Sequence, residues 1–356
     1  MCILNEKNKT EAEKHKQFMI LKKTLQLLAL LCVLLVSNRA EAQQIPQYSH
    51  YLLNGTLVNP AYTGYREMWY AQAFYHNQWV RAHTPQYFSF SLDGKVVPSV
   101  NVGLVVAHER MGFMAISTFS GLYAYRIKTS DRSDLSFGIS LGAVYYGADY
   151  NEMHPYEPYD PVLEDLLDRC VPNIDVGVYY GSDRFYAGLA ARNITNGKAL
   201  GGFTVSDYII PLSTWNTVLT LGFSVPITEN MEFRPSLMWQ EDFKNPSHID
   251  VTAAMLFSDR FLVGLSWRTD HHLWKDKVAA NINALYSIAA LAEVFITNQI
   301  TLSYSFDLGL NQDSYHYFGG HEISIGYYFS RKLDSQFNRK YRYKKYQMNE
   351  FCHFCP

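Results

Sequence analysis

Beyond Val36, the 356-residue chain has no apolar run long enough to cross a membrane as a helix, which needs about 20 apolar residues. Cysteine is scarce: two of the five cysteines lie in an N-terminal leader, Cys170 lies in a predicted loop, and Cys352 and Cys355 lie near the end. Cysteines so placed do not make a disulfide framework. The sequence also lacks P-loop and G-x-G-x-x-G motifs, so it carries none of the common signatures of nucleotide-binding enzymes.

The leader has the three parts of a secretory signal: Lys22-Lys23, the apolar run Leu25–Val36 and the small-residue site Ala40-Glu41-Ala42. Residues 1–42 are therefore predicted to be a signal peptide. The polar stretch before Met19 is long for such a signal and favours Met19 as the true start. A short membrane anchor is the alternative, but the apolar run is too short to span a bilayer.

Strong charge is missing from the rest of the chain. Without residues 1–42 it has 24 Lys and Arg against 29 Asp and Glu, a net charge of −5. This balance argues against nucleic acid as a partner. Aromatic residues are abundant instead, with 27 Tyr, 21 Phe and 6 Trp in the full 356-residue chain. A secreted chain of this composition is either a soluble β-protein or an outer-membrane barrel.

Large apolar residues alternate with small or polar ones in many segments, for example residues 135–142 and 323–329. A period of two predicts strands with one apolar and one polar face. About 14 strands are predicted, an even number, as bacterial barrels have when both termini stay on one side. They cover residues 67–78, 86–95, 99–108, 113–127, 134–147, 174–182, 184–193, 214–226, 230–240, 248–258, 260–268, 280–296, 300–309 and 321–330.

The connections divide into two classes, with tight turns such as Ser182-Asp183 on one side and long loops such as 148–172 on the other. A β-sandwich shows the same alternation but has no reason to separate its loops in this way. We therefore predict an all-β fold: a transmembrane antiparallel β-barrel over residues 67–330, with short periplasmic turns and longer extracellular loops. Residues 331–356 form a predicted basic periplasmic tail.

Residues 43–66 precede the first strand and are predicted to be an ordered periplasmic or lumen-plugging segment. Asn54-Gly55 and Asn59-Pro60 break any helix, and Pro60 cannot donate to a strand ladder. Its tyrosines and leucines need a surface to pack on. Two surfaces remain open: the barrel lumen, whose face is expected to be small, polar and poor in charge, or a periplasmic partner, to which the tail would add complementary charge.

Several residue groups invite a metal or catalytic interpretation. His108-Glu109, His271-His272 and His321-Glu322 lie at predicted strand–loop junctions but lack partners at ligand spacing, so solvated loop positions are expected. Cys352-His353-Phe354-Cys355 lacks further zinc ligands, and an exposed thiol pair or a small disulfide is expected there. An acidic loop lacks the D-x-D-x-D-G calcium spacing; its carboxylates are Asp149, Glu152, Glu157, Asp160, Glu164, Asp165 and Asp168. No cofactor, metal site or catalytic residue is predicted.

A family resemblance rests on the opening segment and continues through later blocks. The sequence Gln47-Tyr48-Ser49-His50-Tyr51-Leu52, followed by Asn59-Pro60-Ala61-Tyr62-Thr63-Gly64 and then Asn77-Gln78-Trp79, resembles the start of the PorP/SprF family of Bacteroidota type IX secretion. The later blocks that resemble the family are Ala124-Tyr125-Arg126, Leu135-Ser136-Phe137-Gly138, Ser182-Asp183-Arg184-Phe185-Tyr186-Ala187-Gly188-Leu189, Tyr304-Ser305-Phe306-Asp307 and Gly320-His321-Glu322-Ile323-Ser324-Ile325-Gly326-Tyr327. The basic tail departs from the family, which usually ends soon after the last strand.

The resemblance implies a non-enzymatic barrel in the outer membrane of a Gram-negative bacterium. It implies contact with outer-membrane lipid, with periplasmic ring or motor components and with a large secreted surface protein such as a gliding adhesin. A passive diffusion channel and, less favoured, a barrel enzyme are the alternatives; open porins usually have charged lumens. The motif positions of unknown role are Asn59, Pro60, Ala61, Tyr62, Gly64, Gln78, Trp79, Asp183, Arg184, Phe185, His321 and Glu322.

Overall fold

The structure is a computed structural model that describes residues 51–66, 68–77, 84–148, 169–196, 215–228, 230–243, 246–271, 286–310 and 319–329. Among these residues, helix occurs only as three-residue 3-10 turns, and none of them could cross a membrane. The strands are β1 Trp69–Asn77, β2 Gln86–Val97, β3 Val100–Met111, β4 Met114–Ser130, β5 Ser133–Ala148, β6 Arg169–Ser182, β7 Phe185–Arg192, β8 Asn216–Phe223, β9 Val225–Thr228, β10 Met231–Glu241, β11 Ser247–Phe257, β12 Phe261–His271, β13 Tyr286–Phe295, β14 Ile300–Gly309 and β15 Gly320–Phe329.

The strands form one closed antiparallel sheet. Each strand pairs with its sequence neighbours, except that β8 and β9 both pair with β10 and not with each other. Strand β1 pairs with β15 from Trp69↔Phe329 to Asn77↔His321, and the β10–β11 pairing completes the ring. Strands β8 and β9 lie end to end beside β10, so the wall has fourteen strand positions. The predicted barrel of about 14 strands is confirmed.

The two faces of the wall differ as the alternation predicts. On β5, Phe137 and Ile139 are exposed on the outer face, whereas Ser136 and Ser140 are buried on the lumenal face. The same alternation runs along β4, where Tyr123 is exposed and its neighbour Ala124 is buried. Because successive strand side chains point to opposite faces, one period-two pattern supplies both an apolar outer surface and a polar interior.

Connections at one edge of the barrel, called the short-turn edge below, are turns of a few residues between β2 and β3, β4 and β5, β6 and β7, β9 and β10, β11 and β12, and β13 and β14. The other edge carries the long connections together with two short ones, of which one is residues 242–246 between β10 and β11. In the other, β3 and β4 are joined by Gly112-Phe113 alone, and Gly112 adopts a φ of +58°. Residues 51–66 enter the barrel from the short-turn edge, and β15 ends there.

Of the strand boundaries that differ from the prediction, two lie near a proline. Strand β6 begins at Arg169, so the prediction that Cys170 lies in a loop is wrong. Pro172 is tolerated because β6 pairs with β7 only from Val176 onward, which leaves no ladder partner on that side of Pro172. The predicted strand 214–226 is interrupted at Ser224, and the register shifts where Pro226 pairs with β10.

Candidate functional site

Residues 51–66, called the lumenal segment below, fold as two 3-10 turns, Gly55–Leu57 and Pro60–Tyr62. Asn59 has φ −148° and ψ 117°, the extended conformation that a following proline imposes. Its side-chain Oδ1 accepts a hydrogen bond from Ala61 N at 2.9 Å, which caps the second turn. The segment is therefore neither a regular helix nor a strand, as predicted.

The lumenal segment packs against the inner face of the wall. Asn54, Ala61 and Thr63 are fully buried, each with 0% exposure. Asn54 Nδ2 donates to Gln72 Oε1 at 2.6 Å on β1 and to Ser91 Oγ at 2.8 Å on β2. Each buried amide donor thus has a polar partner that the wall supplies.

The Asn59–Tyr62 turn lies in a notch of the wall made by three glycines, called the glycine notch below: Gly138, Gly177 and Gly188. A Cβ on Gly138 would lie less than 3.0 Å from the backbone of Pro60 and Ala61. Cβ atoms on Gly177 and Gly188 would crowd the Asn59 side-chain amide. The wall therefore needs glycine here because the segment's backbone approaches closely.

Hydrogen bonds hold the turn in this notch. Asn59 Nδ2 donates to Val178 O at 3.1 Å and to Leu189 O at 3.4 Å, which are paired positions on β6 and β7. The Tyr62 hydroxyl lies 3.2 Å from Thr220 Oγ1 on β8, and the Tyr62 ring centroid lies 4.1 Å from that of Tyr179. The turn is thus bonded to three adjacent strands, β6, β7 and β8.

Gly64 closes the motif and needs to be glycine for two reasons. Its φ is +68°, and a Cβ there would crowd the Asn101 side chain. Its N–H donates to Asp93 Oδ2 at 2.7 Å, and Arg126 Nη2 donates to Thr63 O at 3.4 Å. The end of the segment is therefore bonded to β2 and β4.

The start of the segment contacts the opposite side of the barrel. The Tyr51 hydroxyl donates to Asp250 Oδ1 at 3.1 Å, and Leu53 packs on Leu256, Leu262 and Leu291. Burial and the neighbouring Asp250 carboxylate raise the pKa of Tyr51, so the phenol stays a neutral donor. Across sixteen residues, the segment contacts strands all round the barrel.

The Arg66 side chain joins the two ends of the lumenal segment. Its Nη2 donates to Leu53 O, and its guanidinium carbon lies 4.4 Å and 4.0 Å from the ring centroids of Tyr65 and Tyr70. Cation–π contacts of this kind hold a guanidinium in one orientation. The segment is thus a closed loop, with its two ends joined by one side chain.

The expectation of a lumen poor in charge is wrong. Arg268 is 1% exposed, and its Nε and Nη1 lie 2.8 Å and 2.5 Å from carboxylate oxygens of Asp250 and Asp307. Glu322 is fully buried, 3.2 Å from His76 Nδ1. These charged residues are distant in sequence and come together only through strand pairing. Their contacts therefore could not be predicted from the pattern of any one segment.

The other motif positions do not share the lumenal site. Asp183 and Arg184 form the β6–β7 turn, and Phe185 packs on Phe223 with centroids 5.0 Å apart. His321 lies on the outer face, 2.7 Å from the Tyr304 hydroxyl, whereas Glu322 faces the lumen. Some predictions concern residues outside the described ranges, namely the leader 1–42, Gln78, Trp79, the carboxylates of 149–168, His272 and the tail with Cys352 and Cys355.

His108 and Glu109 also differ from expectation, because β3 continues to Met111 and places both in a strand rather than a loop. His108 Nδ1 lies 2.9 Å from Ser117 Oγ on the exposed outer face. In the described part of the chain, no carboxylate bonds this imidazole, and His108 and Ser117 are register partners within the ladder. Their backbone groups therefore belong to strand pairing and cannot form an oxyanion hole.

No group of three His, Cys, Asp or Glu side chains within the described ranges could hold a metal ion. The buried hydroxyls near the segment serve as donors to carboxylates instead. Ser266 Oγ donates to Asp250 Oδ1 at 2.5 Å, and Ser305 Oγ donates to Glu322 Oε2 at 2.8 Å. The arrangement is suited to holding a polypeptide segment in the lumen.

Comparisons with known proteins give one family match and several similar solved structures. A family model described as "Type IX secretion system membrane protein PorP/SprF" matches residues 40–327. A comparison with curated proteins gives no match. Similar solved structures include the CymD monoaromatic hydrocarbon channel, with 9% identity, a TM-score of 0.47 and coverage of 78% of this chain and 93% of that one. Omp33 of Acinetobacter baumannii has 10% identity, a TM-score of 0.40 and coverage of 74% and 98%. The KdgM porin has 7% identity, a TM-score of 0.35 and coverage of 73% and 99%.

Proposed function

The chain belongs to the PorP/SprF family of type IX secretion system membrane proteins, and from this premise we propose that it is a non-enzymatic component whose lumen is closed by its own residues 51–66. It is an outer-membrane protein. In this proposal it acts in the secretion or surface attachment of proteins such as gliding adhesins, together with periplasmic ring or motor components.

The observation that carries the proposal is the lumenal segment. Its buried polar groups form hydrogen bonds with strands on opposite sides of the barrel. Asn54 donates to residues of β1 and β2, and Tyr51 donates to a residue of β11. A passive diffusion channel needs an open aqueous path, and the segment lies across it. The charged residues of the lumen, which would favour a porin, are largely bonded to one another or to the segment.

The non-enzymatic part of the proposal is supported by the state of the candidate catalytic groups. The outer-face pair His108 and Ser117 lacks both an orienting acid and an oxyanion hole among the described residues. Replacing Ser117 by Ala should therefore leave secretion of surface proteins in cells unchanged. A loss of secretion with intact barrel assembly would instead support the alternative that the barrel is an enzyme.

The direct test is deletion of residues 47–64. The deleted protein should assemble and show a conductance in planar bilayers that the full chain lacks. Deletion of residues 332–356 is the matched control, because it also removes chain from the short-turn side but leaves the lumenal segment in place. If the 47–64 deletion stays non-conducting and loses periplasmic partners in a pull-down, the segment is a docking element and the closure proposal is wrong.

The secretion role is tested separately by a pull-down of the full chain from native outer membrane. Recovery of periplasmic ring components or of one large surface protein supports the proposal. Recovery of an isolated barrel that conducts in planar bilayers favours the diffusion channel.

A further inference from the structure

Four polar side chains lie side by side on the outer face of the wall, near the edge that carries the long connections. They are called the polar row below: His321, Asn77, Gln86 and Arg110. Strand register places them together, because Asn77 pairs with His321 and with Gln86, and Gln86 pairs with Arg110. Directly opposite residues of an antiparallel pair share a face. Since neighbouring strands lie about 4.8 Å apart, the row extends over roughly 14 Å of the barrel surface.

The polar row carries positive charge and has no negative charge on its face. Arg110 is exposed, and its guanidinium stays protonated. Strands β15, β1, β2 and β3 are described throughout, and their only carboxylates are at positions that face the lumen: Asp93, Glu109 and Glu322. An exposed guanidinium without a carboxylate beside it on this face is suited to an anion, and phosphate matches its planar fork.

Two imidazoles at the row are already oriented by hydroxyl groups. His108, which is also exposed on the outer face of β3, has its Nδ1 2.9 Å from Ser117 Oγ. His321 has its Nδ1 2.7 Å from the Tyr304 hydroxyl. Each contact fixes a ring with Nε2 on the far side from the hydroxyl, so little side-chain entropy would be lost on binding a ligand there.

The outer face changes character one step closer to the middle of the wall. The next register row on the same strands contains Ile323, Tyr75 and Phe88, which are 48%, 39% and 46% exposed. Aromatic and apolar side chains at this depth of a barrel contact lipid. A molecule that lies against both rows therefore needs an anionic polar head and an apolar body.

We propose that the polar row binds the phosphorylated sugar headgroup of a glycolipid in the outer leaflet, with a phosphate on Arg110 and His108 and acyl chains on Phe88, Tyr75 and Ile323. The long connections mark the extracellular edge of the barrel, and the outer leaflet of a Gram-negative outer membrane consists mainly of such glycolipid. A row of roughly 14 Å matches a headgroup with several polar substituents rather than one phosphate ion. The site lies outside the lumen and is independent of the closure proposal.

The pattern is confined to one part of the ring. Across the barrel, at the same edge, the outer-face register partners of β10 and β11 are Trp239 and Ile249. Lipid finds apolar contact at those two positions but no fixed cation. The structure therefore assigns the headgroup to the surface of β15, β1, β2 and β3.

The test titrates the full chain in detergent micelles with diphosphoryl lipid A and with its dephosphorylated form, and native mass spectrometry counts the bound lipid. The diphosphoryl form should bind at least about tenfold more tightly, as expected for charge-assisted hydrogen bonds, and added salt should reduce the difference. Equal affinity for the two forms overturns the proposal. Displacement of the lipid by an equal concentration of inorganic phosphate shows a site for free anions and overturns the lipid assignment. A dimer of the chain that diphosphoryl lipid A does not dissociate also overturns it, because a second copy then covers the row.

Two variants and one control locate the site. Arg110→Gln should weaken binding of the diphosphoryl form about tenfold and leave the dephosphorylated form unchanged. Gln86→Glu keeps Arg110 but places a carboxylate directly opposite it, so it should also weaken binding of the diphosphoryl form. Arg260→Gln is the matched control, since Arg260 is exposed at the short-turn edge, and it should have no effect. Unchanged binding in both row variants, or an equal loss in the control, contradicts the proposal.

Discussion

Replacing Gly138 by Ala tests whether the glycine notch holds the lumenal segment. The new Cβ would lie less than 3.0 Å from backbone atoms of Pro60 and Ala61. Backbone atoms cannot rotate away as a flexible side chain can, so the segment must move by on the order of 1 Å or leave its place. The barrel itself should keep its ladder, because a lumenal Cβ does not interrupt strand pairing.

The cost follows from the bonds that such a movement breaks. Asn59 donates to two wall carbonyls at 3.1 Å and 3.4 Å, and Tyr62 bonds to Thr220 at 3.2 Å. At about 0.5–1.5 kcal/mol for each hydrogen bond, the loss is roughly 2–4 kcal/mol, close to the range for overpacking. Since about 1.4 kcal/mol is a factor of ten, the ratio of closed to open barrels should fall roughly 30- to 1,000-fold.

Two measurements check this prediction: conductance in planar bilayers and hydrogen exchange of residues 51–66, both of which should increase. Gly121→Ala is the matched control, since Gly121 lies on the outer face of β4 and a Cβ there meets only Leu141 O at 3.7 Å. A Gly138→Ala protein that stays closed, with unchanged exchange, would refute the role given to the notch. If the variant fails to assemble, Asn59→Ala removes the two Asn59 hydrogen bonds to Val178 O and Leu189 O without changing the wall.

Three further predictions concern the barrel. Ile139→Arg, on the outer face, should cost about 2–4 kcal/mol in unfolding from bilayers if the position faces mid-membrane, whereas an unchanged value would place it elsewhere. Asp250→Asn should destabilise the barrel by up to about 3–5 kcal/mol, because the buried Arg268 loses one of its two carboxylate partners. The temperature at which the folded gel band disappears measures the loss, and no shift would contradict the pairing. Deletion of 332–356 should leave heat-modifiable migration intact, because β15 already pairs with β1 up to Phe329, and loss of the folded band would show that the tail is needed.

The wall could be predicted from the sequence because its signal is local. Each strand repeats the same two-residue period, as Phe137 and Ile139 do against Ser136 and Ser140, and the membrane makes that pattern obligatory. The predicted strand boundaries were wrong where a proline lies in a strand. In the sequence Pro172 predicts the end of a strand, because only the structure shows that it has no ladder partner on the β7 side. The family, too, could be identified from local motifs.

The lumenal site could be predicted only in part. That the Asn59–Gly64 motif is ordered and packs on a surface follows from its own residues, but its bonding partners do not. Gly138 and Gly188 look like ordinary small residues of a polar face, and only the closed barrel shows that each makes room for the segment. The buried Arg268 network was missed for the same reason, because Asp250 and Asp307 reach it only across strands.

The position of the lumenal segment in the chain constrains the order of assembly. The segment is synthesised before every strand, yet Leu53 packs on Leu256, Leu262 and Leu291, which belong to β11, β12 and β13. These surfaces exist only after most of the wall has formed, and contacts of such long sequence separation form slowly. A segment that leaves the ribosome before every strand is thus among the last to reach its native place. Until then its apolar side chains need protection from aggregation in the periplasm.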